Sequence, residues 1–207
     1  MSMIMELRTL SDANIEKLLQ EPRRIWQVLE AQDPDAAPPL PPMKVKQPNL
    51  LQRLLGMKIA TTPVSTPPRD TPGDLVFADN ELRTLDMAKT WHGIHFLLTG
   101  TSWEGEPPMN FLLGGREVGD IDVGYGPARA LTAAEVAAFS SALQSISDEE
   151  LKSRFVPAQM EEVYPTIWDR DPADDDALGW LMEFMPDLRK FVADAGAEGL
   201  GVVATLS

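Results

Sequence analysis

Residues 85–100 read LDMAKTWHGIHFLLTG, a stretch that holds both histidines of the chain. Asp86 is placed to act as an N-cap, its carboxylate close to the first free backbone N–H groups of a helix. Trp91, Ile94, His95 and Leu98 then recur at i, i+3, i+4 and i+7 and form one apolar stripe. Thr99-Gly100 ends the run, with Gly100 suited to the left-handed position just past a helix. Gly93, inside the helix, costs about 1 kcal/mol against alanine, so a close neighbour or a bound group must need the room. His95 falls on the buried stripe. His92 falls about 60° away from its centre, at ~100° per residue, and is expected to be half exposed.

Working outward, residues 2–9 alternate Met3, Met5 and Leu7 against Ile4, Glu6 and Arg8, the pattern of a half-buried strand. Ser11 caps a short helix with Ile15, Leu18 and Leu19 inward, and Pro22 opens another with Ile25, Val28 and Leu29 on its face. Ten prolines between Asp33 and Pro72 exclude most regular structure there, apart from a helical turn or two at Leu50–Leu55. The Thr/Pro/Ser run 61–72 reads as a loop. The Pro-rich segment of about 31–75 is a connection within one domain spanning 1–207, since the elements before it are too small to hold a core alone.

Beyond Gly100, a loop over 101–108 leads to a short helix closed by Phe111-Leu112-Leu113-Gly114-Gly115. Residues 120–130 read as extended, broken by Gly124 and Gly126. Thr132-Ala133-Ala134-Glu135 is a capping box, and Ser147-Asp148-Glu149-Glu150 a second. The helices they start bury Val136, Phe139, Leu143 and Ile146, then Leu151 and Phe155. A last helix carries Leu178, Leu181, Met185, Leu188 and Val192 on one face, with a kink expected near Pro186. Gly199 or Gly201 stops it, and 200–206 is a terminal strand. Strands at both ends and helices between them give an α+β fold, helix-rich, with a small sheet in which the two terminal strands pair centrally.

Three stretches resemble the YfbM-like family of bacterial proteins, a DUF1877-type domain of unknown function. They are the run 85–100, Gly124-Tyr125-Gly126-Pro127-Ala128-Arg129 leading into Leu131-Thr132, and Val163-Tyr164-Pro165 with Trp168. The resemblance covers most of the chain, least in 31–75. It implies an α+β fold and carries with it no substrate, cofactor or catalytic residue.

Composition narrows the function classes. The 207 residues contain no cysteine, which excludes disulfides, thiolate metal sites and cysteine nucleophiles and suits a reducing cytoplasm. The apolar start is broken by Glu6 and Arg8, so no signal peptide is expected, and no run approaches the ~18 apolar residues of a membrane span. The net charge of −14 is carried entirely after residue 75, where nine basic groups face 23 acidic ones. The charge disfavours nucleic acid as a partner, since its phosphates need lysine and arginine. A solvated acidic surface is the plainest reading, and a basic protein is the partner it would suit.

Four residues stand out for chemistry. His92 and His95 form H-x-x-H, which can reach one ion, but zinc would need further ligands from Asp86, Glu104 or Glu106. Packing, with His95 bonded to a backbone carbonyl, is the favoured reading, and no metal is assigned. Arg129, just before a helix in the acidic half, can grip a carboxylate or phosphate bidentately, or form an internal ion pair. Thr99 heads a hydroxyl-rich run, Thr99-Gly100-Thr101-Ser102, best read as C-capping. The aspartates of 169–176 lack the glycine and ligand spacing of a calcium loop and read as capping and solvated charge. Trp103 and Trp168, in loops beside acids, offer either a binding surface or cover for the core. No nucleophile–base set is complete, so the expectation is a non-catalytic binding or regulatory module contacting another protein. The alternative is an enzyme or anionic-ligand binder with a pocket joining His92, His95, Thr99 and Arg129.

Overall fold

Strand register explains the arrangement. In a computed structural model, which describes residues 2–31, 75–171 and 176–207, five strands form one antiparallel sheet. They are β1 (Met5–Leu10), β2 (Thr84–Asp86), β3 (Arg116–Asp122), β4 (Pro127–Leu131) and β5 (Gly201–Leu206), in the spatial order β2-β1-β5-β4-β3. β1 and β5 pair over their full lengths, from Met5 opposite Leu206 to Leu10 opposite Gly201. The two strands nearest the chain ends therefore join the two halves of the sheet, as their position in the sequence suggests. Among the described residues six helices complete the α+β fold: α1 (Asp12–Gln20), α2 (Ile25–Glu30), α3 (Trp91–Thr99), α4 (Ala133–Gln144), α5 (Asp148–Ser153) and α6 (Ala177–Ala197). The proline-rich connection and the turns expected at Leu50–Leu55 and 61–72 lie outside the described residues.

The central strands of the sheet are buried on both faces, so β1 is not the half-buried strand its alternation suggests. Met5, Leu7, Leu131, Val202 and Ala204 face a large core with α3, α4 and α6. Leu10, Val118, Ala128, Ala130 and Val203 face a smaller one with α1 and α2. Arg8 points to that second layer and is nonetheless buried, because its Nη1 donates to the Val28 carbonyl (2.8 Å) and its Nε pairs with Glu6. A buried guanidinium without those partners would be costly.

Local signals hold where they are local. The Thr132 hydroxyl accepts from Glu135 N–H (3.4 Å) while the Glu135 carboxylate accepts from Thr132 N–H (2.7 Å), the reciprocal box expected. Ser11 and Ser147 each cap their helices, at Asn14 N–H and Glu150 N–H. The second box is only half made, however, since Glu150 turns to Arg154 (2.6 Å). Asp176 accepts from Gly179 N–H (2.8 Å) and starts α6. That helix runs unbroken to Ala197 through Pro186, which lies on its exposed side, where water can take the backbone bond proline removes.

Two expectations of local structure need correction. Asp86 does not cap α3: it ends β2, and its Oδ1 accepts from Ala88 N–H (2.7 Å) in a tight turn, so the helix starts only at Trp91. Residues 107–113 form successive turns rather than a helix. The extended run 120–130 is the end of β3 and most of β4, a hairpin whose turn is held by Asp122 Oδ1 accepting from Gly124 and Gly126 N–H (2.9 and 3.0 Å). Those two bonds hold the Asp122 carboxyl below its usual range.

Candidate functional site

α3 is apolar all round. Its eight residues Trp91–Leu98 are buried, and Gly93 explains how it fits: a Cβ there would meet Trp168 Cη2 at 2.6 Å and Leu181 Cδ2 at 2.8 Å. The room that glycine leaves is filled by the protein itself. Gly100 ends the helix at φ +77°, with its N–H donating to the Phe96 carbonyl (2.7 Å).

His92 is completely buried, contrary to its position off the apolar stripe. Two segments outside the helix bury it. The backbone N–H of Tyr164 donates to Nδ1 (2.9 Å), which fixes the proton on Nε2, and Nε2 donates to the Ser102 carbonyl (2.5 Å). The ring stacks on Trp91, with centroids 4.6 Å apart and planes 3° from parallel, and Trp103 closes over it at 4.2 Å. His95, also buried, donates from Nε2 to the Glu104 carbonyl (2.9 Å). Burial lowers both pKa values, that of His95 to about 4, so both rings are neutral near pH 7. His95 Nδ1 is left buried with no partner among the described residues.

Thr99 joins the same network. Its hydroxyl donates to the His95 carbonyl (2.9 Å) and accepts from Thr101 N–H (3.2 Å), and the Thr101 hydroxyl donates to the Glu104 carbonyl (2.6 Å). His92, His95 and Thr99 thus lash residues 101–104 to the end of α3. Arg129 stands apart from them: on β4 it faces Glu117 in register on β3 and pairs with it at 2.7 Å, the internal ion pair of the sequence reading. Among the described residues no three histidine, aspartate or glutamate side chains group to hold a metal ion. Trp168 is core, its Nε1 donating to the Val163 carbonyl (2.7 Å), whereas Trp103 stays about half exposed.

An open groove of about 460 Å³ lies elsewhere. One wall is the chain entering β2, at Arg83, Thr84 and Leu85. The other is the outer face of α6, where Asp187, Lys190, Phe191 and Asp194 recur at i, i+3, i+4 and i+7. Arg83 Nη1 pairs with Glu198 (2.8 Å), which also accepts from Asn80, and Lys190 pairs with Asp194 (2.6 Å). The Lys190 hydrogen bond holds the Asp194 carboxyl below its usual range. Asp187 has no ionic partner among the described residues. None of His92, His95, Thr99 and Arg129 lines this groove. Sequence reasoning missed it because its walls are about a hundred residues apart. The one local signal was the polar helix face opposite Leu181, Met185, Leu188 and Val192.

No helix among the described residues is long and apolar enough to cross a membrane. No curated protein matches the chain. A solved structure that it resembles is that of YfbM from Escherichia coli, described as a protein of unknown function, with a TM-score of 0.60 and 18% identity over 99% of each chain. That likeness is one of fold. The profile of DUF1877, a domain of unknown function, matches residues 1–205, and the chain belongs to that family.

Proposed function

We propose that this chain is a non-catalytic binding or regulatory module that contacts another protein, a basic one, in the cytoplasm. The observation that carries the reading is the use to which the histidines are put. Both are buried and neutral, and each donates to a main-chain carbonyl, so neither is poised to move a proton or hold a metal. The motif stabilises the fold. The net charge of −14 favours a cationic partner, and a cysteine-free chain suits a reducing compartment.

A pocket for an anionic ligand at His92, His95, Thr99 and Arg129 would require Arg129 to leave Glu117 and His92 to leave Ser102. A thermal-shift screen of divalent metals, nucleotides and phosphorylated metabolites decides between these readings. Run on the wild type and on His92→Ala, His95→Ala and Arg129→Ala, it is expected to find no stabilising compound. One that stabilises the wild type and none of the variants defeats the binding-module reading.

A further inference from the structure

We propose that the outer edge of β2 takes an extended, basic segment of a partner protein as a sixth strand, seated between β2 and α6. This rests on the protein-binding reading above and names the surface and the chemistry of its partner.

The edge is open by register. Thr9 N–H donates to the Arg83 carbonyl and Met87 N–H to the Met5 carbonyl, so the residues of odd number in β2 face β1. Thr84 and Asp86 therefore turn their N–H and C=O groups away from the sheet. Among the described residues β2 is the last strand on that side, and these groups have no partner. An added strand opposite them can exchange up to four main-chain hydrogen bonds, the usual means by which a sheet edge captures a peptide. Alternate side chains of that strand would share the face of Leu85, on the side where Phe191 and Asp187 of α6 lie.

Charge selects the occupant. Among the described residues the two cations of the groove are already neutralised, Arg83 by Glu198 and Lys190 by Asp194, whereas Asp187 has no ionic partner. The uncompensated charge is negative and fits a lysine or arginine. Arg83 adds an unmet demand of its own, since its Nε and Nη2 are buried and lack partners. Such donors carry a desolvation cost that a main-chain carbonyl of the incoming strand would relieve.

The test uses a fluorescein-labelled hexapeptide in which two lysines and a valine alternate with threonines, so that lysine and valine share the face toward α6, with the full chain, by anisotropy and ¹⁵N-detected NMR. The peptide is expected to bind, to shift the Thr84 and Asp86 amide resonances, and to slow exchange of those protons. Asp187→Lys, an exposed change, should weaken it about tenfold or more. Thr84→Pro, which removes an outward N–H and no bond to β1, should weaken it with the melting temperature kept. A glutamate–valine peptide, and a lysine–valine peptide N-methylated on the residues facing β2, should not bind. Equal binding of the N-methylated peptide, shifts confined to another surface, or no binding of the lysine–valine peptide each overturn strand addition. The broader binding-module reading falls separately, on a stabilising metabolite or metal in the thermal-shift screen.

Discussion

Gly93→Ala sets two effects of opposite sign against each other. Alanine is the better helix former by about 1 kcal/mol, so in an open helix the change would stabilise. Here the new methyl would lie 2.6 Å from Trp168 Cη2 and 2.8 Å from Leu181 Cδ2, where carbon atoms prefer about 3.5–4.0 Å. Leu181 can rotate. Trp168 cannot easily retreat, because its indole N–H is bonded to the Val163 carbonyl and its ring lies against Trp180 and Phe155. Overpacking of this kind costs about 1–3 kcal/mol, and a rigid ring puts it near the upper end. The net expectation is a loss of about 2 kcal/mol, or about 4–8 °C in Tm for a chain of this size. Urea unfolding should show a lower midpoint with an unchanged slope. Leu181→Ala in the same chain should partly relieve the clash, giving a double variant more stable than the sum of the singles predicts. A Gly93→Ala protein at least as stable as the wild type would refute the close approach of Trp168 and Leu181 to α3.

The remaining predictions concern the same core and the charge. His95 titrates near 6.5 when unfolded and about 4 when folded, so the unfolded chain takes up the proton first as pH falls. Its contribution is complete above about pH 6.5 and declines toward pH 4, by up to about 3 kcal/mol. His95→Gln, which keeps a donor for the Glu104 carbonyl, should flatten that part of the stability–pH profile, and an unchanged profile would count against a buried neutral ring. Trp91→Ala should cost about 3–5 kcal/mol in a denaturant melt, since the ring is fully buried, and a loss under 1 kcal/mol would contradict its place in the core. Thr132→Ala should cost about 1 kcal/mol through the lost cap at α4, and no change would mean the capping box is not formed in solution. A gel shift should detect no duplex DNA binding at physiological salt, because acidic groups outnumber basic ones by 32 to 18; micromolar binding would overturn the charge argument.

What could be read from the sequence was whatever a few neighbouring residues decide. The Thr132–Glu135 box, the Ser11 cap and the Gly100 terminus are short-range hydrogen bonds between residues at fixed spacing, and each formed where its spacing put it. Asp86 misled because the same residue type suits a helix cap and an Asx turn, and the choice was made by Leu85 pairing with Leu7, far away in sequence. The start of β3 was hidden by its place at the sheet edge, where Val118 is the one buried residue of the strand. The burial of His92 was invisible for a related reason. A helical wheel shows which residues share a face, but not that Ser102, Trp103 and Tyr164 would cover the flank next to it. The pairing of Arg129 with an acid was legible from the local excess of carboxylates, though only the register of β3 and β4 singled out Glu117.

The central place of β5 has a consequence for biosynthesis. β1 is made well before β5 and finds its main partner only when residues 201–206 leave the ribosome. At about 5–20 residues per second, that wait is on the order of 10–40 s. Until then the sheet can exist only as two separate ribbons, β2–β1 and β4–β3, and a two-stranded ribbon alone is marginally stable at best. Folding is thus held back until β5 is translated. A chain broken off before Gly201 lacks the joining strand, exposes apolar edges, and becomes a substrate for chaperones and proteases instead of a half-working product.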